Sequence, residues 1–132
     1  MSRDARVDAL GALYSADATG EEPLVVGLSS RARKLVNGTW EAREHLDTEL
    51  AGAATGWRVE RMPAVDRAIL RMALYELRHT ATPVAVVISE AVELAKEYST
   101  QRSGGFVNGV LAKLADTHTD TDAETDADAD AS

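Results

Sequence analysis

A chain of 132 residues is long enough for one hydrophobic core, and the absence of cysteine excludes a disulfide framework and thiolate chemistry. The formal charge of −8, from 14 Lys and Arg against 22 Asp and Glu, is unevenly placed. Seven acids and no Lys or Arg lie from Asp116 onward, which leaves residues 1–115 almost neutral, so the acidity does not exclude a polyanionic partner for the body.

The opening MSRDARVDAL has no apolar core of a signal peptide, and no run approaches membrane-spanning length. The expectation is a cytoplasmic chain with no membrane contact. Residues 3–16 read as a first helix, with Val7, Leu10, Leu13 and Tyr14 at three- and four-residue spacing. Thr19-Gly20-Glu21-Glu22-Pro23 stops it, and the short apolar run Leu24–Leu28 reads as a small helix or an extended connector.

Ser29 or Ser30 caps a long predicted helix reaching about Ala54, interrupted in its stripe by Gly38. Gly56-Trp57 breaks the pattern, and 58–62 forms one further turn. Residues 63–78, PAVDRAILRMALYELR, are apolar almost all round, so this helix has to be covered by other elements. Pro63 suits the first turn, Asp66 the positive end of the dipole, and Arg78 the negative end.

Thr80–Pro83 is a break. Val84–Tyr98 continues a helical repeat past its strand-like start VAVVI. Ser99–Gly105 reads as a polar loop, and Phe106–Ala115 as a last helix. Residues 116–132 carry no aromatic or branched aliphatic side chain and are expected to be disordered. The predicted architecture is all-α, with a helical domain over 1–115 and an acidic tail over 116–132.

Catalytic and metal chemistry find little support in these residues. His45, His79 and His118 lie in separate segments, and Trp40–His45 lacks the His-Glu-x-x-His spacing of a metal helix. A metal-dependent enzyme would have to use Glu44, His45 and the stripe Glu90, Glu93, Glu97, which reads more simply as a solvated face. Ser103-Gly104-Gly105-Phe106 opens a helix and offers N–H groups, yet no strand or lysine makes it a nucleotide loop. Positive charge is more suggestive. Arg3 and Arg6 stand one turn apart, Arg31, Arg33 and Lys34 cluster at a helix start, and Arg67, Arg71, Arg78 and Arg102 follow. Tyr14 places an aromatic ring near such residues, a combination used for single-stranded RNA, although a core role for Tyr14 is equally open.

Several blocks in register carry a resemblance. They are Gly56-Trp57, RMPAVDRAILR (61–71), ALYEL (73–77), ISEAVELAK (88–96) and FVNGVL (106–111), with a weaker match over Ala9–Tyr14 and Leu35–Leu46. The chain resembles the NusB family of bacterial transcription antitermination factors. That resemblance implies a bundle of about seven helices in two packed three-helix groups, without catalysis, cofactor or metal. It also implies partners: boxA-type single-stranded RNA, the small-subunit ribosomal protein NusE, and the antitermination complex on RNA polymerase, notably at ribosomal RNA operons. Carried over position by position, the implied RNA surface comprises Arg3, Arg6, Tyr14, Asp66, Arg102 and Phe106. The family usually opens with a dense basic run, whereas this chain offers Arg3 and Arg6 with Asp4 between them. The alternative expectation is a homodimeric interaction module without an RNA role.

Overall fold

The computed structural model describes residues 2–54 and 58–116, and all regular structure among them is helical. Six α-helices and one 3₁₀ turn follow in order: α1 (Arg3–Thr19), α2 (Ser30–Glu41), α3 (Arg43–Ala53), the turn Val59–Arg61, α4 (Ala64–His79), α5 (Val84–Tyr98) and α6 (Gln101–Ala131). The expected break at Gly56-Trp57 lies outside the described residues, and so does nearly all of the expected tail over 116–132.

Helix α4 is the predicted central element, and α1, α2, α3, α5 and α6 all pack on it. Ala68, Ile69, Leu70, Met72, Ala73, Leu74 and Leu77 are buried around its circumference. Its remaining polar line is where neighbouring helices are tied down. Arg67 donates to Asp17 at 2.6 and 2.9 Å and also reaches the carbonyls of Val59 and Met62. Arg71 donates to both Asp47 oxygens at 2.7 Å and to Asp17 at 3.3 Å. Arg78 holds Glu49 at 2.8 Å. Burial pushes the Asp17 carboxyl up, but the hydrogen bonds and charge of Arg67 and then Arg71 outweigh it and hold it below the usual aspartate range. Burial likewise works against the charged Arg71, and its bonds to Asp47 prevail, so its pKa is raised.

Contacts along α4 fix the directions of its neighbours. On α1, Arg6 meets Glu76 and Asp17 meets Arg67, so α1 runs antiparallel to α4. On α2, Gly38 faces the ring of Tyr75, while Thr39 and Trp40 share a small cavity with Ala68 and Arg71. Helix α2 is therefore also antiparallel to α4, and α1 and α2 point the same way. Residues 20–29 must return along the outside of α1, and they do so as an extended connector that leaves Leu24 85% and Val26 95% exposed.

Helix ends follow local chemistry. Ser2 and Ser29 accept from the backbone N–H groups of Ala5 (3.2 Å) and Ala32 (3.1 Å), capping α1 and α2. Gly20, at φ 76°, closes α1 in the left-handed region that suits glycine. Two boundaries differ from the sequence expectation. The long helix from Ser29 to Ala54 is two helices that bend at Ala42 (φ −88°, ψ 2°). Arg43 stabilises the bend, lying 4.0 Å over the Trp40 ring and donating to the Trp40 carbonyl at 2.6 Å. The loop expected over Ser99–Gly105 is shorter, because Thr100 Oγ1 accepts from the Ser103 N–H at 3.1 Å and starts α6 at Gln101.

Candidate functional site

Of the six residues singled out, the structure moves two into the interior. Arg6 is 2% exposed and donates through Nε and Nη2 to the two Glu76 oxygens at 3.0 and 2.9 Å. It is a buried bidentate pair joining α1 to α4, not a surface contact. Helix periodicity explains this: Arg6 lies on the inward stripe of α1 with Ala9, Leu10 and Leu13, whereas Arg3 faces out. Asp66 is likewise buried, and its Oδ2 accepts from Ser103 Oγ at 2.9 Å. Ser103 Oγ in turn lies 3.0 Å from both Ser99 Oγ and Thr100 Oγ1, so Asp66 fixes the α5–α6 junction to the start of α4. Ser103 and Gly104 sit buried inside α6, so the helix start read at Ser103-Gly104-Gly105-Phe106 lies at Gln101 instead.

Of the other four, Arg3, Tyr14 and Arg102 are exposed and Phe106 is half buried. Tyr14 is 43% exposed and faces Tyr98, 44% exposed, across a groove of about 250 Å³ whose floor is Val7, Leu10, Gly11 and Val65. At one margin Arg3 forms an ion pair with Glu97, the neighbour of Tyr98. Arg102, four residues after Tyr98, is exposed in the first turn of α6, and Phe106, one turn on, is half buried against the core. Asp66 follows Val65 directly, so its buried bond to Ser103 holds the groove wall from behind.

Tyr98 escaped the sequence reading because it falls on the apolar repeat of α5 and passes for core. Its position as the last helical residue before Ser99-Thr100 was the available signal. No carboxylate lines the groove. Two phenol rings around an apolar floor can stack planar groups, and the lining offers no acid–base pair.

A larger cleft, about 730 Å³, is lined by Asp17, Asp47, Arg58, Glu60, Arg67 and Arg71. Its charges are spent on one another, because Asp17 and Asp47 neutralise Arg67 and Arg71, and Arg58 pairs with Glu60. The acidic stripe is dispersed in the same way, Glu97 on Arg3 and Glu93 near Lys96, and His45 is exposed beside Glu49. Among the described residues no three His, Asp or Glu converge to hold a metal ion, and no helix is long and apolar enough to cross a membrane.

Comparison with known proteins agrees with the helical fold. The model of the NusB family matches residues 3–116. A transcription antitermination protein NusB from Symbiobacterium thermophilum is 44% identical over 133 residues, spanning 85% of this chain and 87% of the relative. The solved structure of T. maritima NusB superposes with a TM-score of 0.78 at 31% identity, covering 86% of this chain and 89% of its own. A crystal structure of antitermination factors NusB and NusE in complex with dsRNA reaches a TM-score of 0.76 at 28% identity, covering 87% and 96%.

Proposed function

The chain belongs to the NusB family of antitermination factors, and from that premise we propose that it binds boxA-type single-stranded RNA together with NusE. In this reading it acts without catalysis on elongating RNA polymerase, notably over ribosomal RNA operons. The observation that carries the reading is the Tyr14–Tyr98 groove, an apolar, carboxylate-free slot between two exposed aromatic rings. Bases from an unpaired strand stack on such rings, and Arg3 at the groove margin and the exposed Arg102 would take the flanking phosphates. The solved NusB and NusE complex with dsRNA supports both partners by likeness.

The test is RNA binding measured with NusE present. Tyr14→Ala and Tyr98→Ala are each expected to weaken the complex by about 1–3 kcal/mol, the usual worth of a base–aromatic stack. Both rings are half exposed, so the fold should tolerate either change. Wild-type affinity in both variants would remove the groove from the RNA site. A second reading, self-association, is favoured by the bare Leu24 and Val26 of the α1–α2 connector. Light scattering separates the two: a stable dimer indifferent to RNA supports the second.

A further inference from the structure

Most cations of the described body have a partner. Arg3, Arg6, Arg58, Arg67, Arg71, Arg78 and Lys96 face acids, and Arg43 lies on Trp40. Arg31, Arg33 and Lys34, like the isolated Arg61 and Arg102, are exposed without an ion-pair, hydrogen-bond or ring partner for their side chains among the described residues, and they alone of these stand together on one helix turn. They also sit at the start of α2, where the helix dipole disfavours cations and where no acid relieves them. Folding gives no reason for this arrangement. Ala32, Leu35, Val36 and Thr39 take the inward face, which leaves the three charges fanned over the outward half of the helix.

The helix directions place this cluster. Gly38 meets Tyr75, the neighbour of Glu76, which holds Arg6, so Gly38 and Arg6 stand level across α4. Lys34 and Arg31 lie one to two turns earlier on α2, roughly 6–11 Å beyond that level, and Arg3 lies one turn earlier on α1. The cluster therefore occupies the same end of the bundle as Arg3. We propose that Arg31, Arg33 and Lys34 form a second phosphate-binding patch, which takes the RNA backbone where it leaves the tyrosine groove past Arg3. This rests on the RNA reading above. RNA is favoured over an acidic protein segment because the patch shares its end of the bundle with Arg3, at the margin of the base-stacking groove, and its three side chains offer no apolar anchor.

The experiment titrates labelled boxA RNA carrying single-stranded flanks, with NusE present, over a series of salt concentrations. The triple variant Arg31→Gln, Arg33→Gln, Lys34→Gln is expected to lose about tenfold in affinity and to flatten the log–log salt slope by up to roughly 2, at about 0.7 per phosphate contact on a single strand. Arg31→Lys with Arg33→Lys should keep the wild-type slope. A triple variant with unchanged affinity and slope overturns the patch while leaving the groove reading intact. A triple variant that loses NusE in the absence of RNA also overturns it, by assigning the cluster to protein. If the wild-type chain with NusE binds none of the RNA, the functional reading itself fails.

Discussion

Arg6 shows how far a side chain's role depends on a partner remote in sequence. One turn after Arg3, at the basic start of the chain, it reads as a surface cation. What overrides this is Glu76, 70 residues away, presented at the same height by the antiparallel α4. With both side chains 2% exposed, neither charge can be solvated if the other is removed. Arg6→Ala is expected to cost about 3–5 kcal/mol in denaturant unfolding, and the Arg6→Met, Glu76→Leu double variant much less, because it leaves no unpaired charge behind. Equal losses in the two variants would mean that packing, not the isolated charge, sets the cost. Tyr98 was hidden for the opposite reason: an apolar repeat marks which residues lie near a core but not which of them end it.

Among the elements, α4 was legible in full because a helix apolar on nearly every side has only one place to go. The bend at Ala42 was not, since Leu46 and Leu50 continue the stripe of Leu35 and Thr39 across it and the periodicity carries no trace of a change in direction. The start of α6 was masked by Gly104-Gly105, a pair that reads as loop. Gly38, which weakened the helix on propensity grounds, has a packing reason. A Cβ there would lie 2.2 Å from the Tyr75 ring, so glycine is what lets α2 approach α4. Gly38→Ala is expected to destabilise by about 1–3 kcal/mol through overpacking, despite a propensity gain of about 1 kcal/mol. Pairing it with Tyr75→Leu should restore much of the loss, and thermal melts of the single and double variants measure that coupling. Gly104 makes the contrast: its Cβ would meet only the flexible stem of Lys96, which can move aside.

For the molecule as a whole, the ties through Asp17 join α1 to α4 at the end opposite Arg6 and share Arg71 with α3. Because Arg67 and Arg71 hold the Asp17 carboxyl below its unfolded pKa, its contribution is complete above about pH 4 and is lost as the pH falls through the depressed folded value. Asp17→Asn is therefore expected to lower stability at neutral pH and to flatten the acid limb of an unfolding curve measured from pH 6 down to about pH 2. An acid limb as steep as the wild type's would place the sensitivity on other carboxylates. This network was half legible: the line Arg67, Arg71, Arg78 stood out on α4, but which acids answer it depends on helix directions that no local pattern encodes.

Those directions have one more consequence. Two neighbouring helices that point the same way cannot be joined by a tight turn, so the chain has to retrace the length of α1 before α2 begins. The retracing strap between Gly20 and Ser29 packs Val25 and Leu28 on the core but carries none of the ion pairs that hold α1 in place, since Asp17 and Arg6 both anchor that helix directly to α4. A cut at the exposed Leu24 or Val26 would accordingly leave two fragments still joined through the Arg6–Glu76 and Asp17–Arg67 pairs.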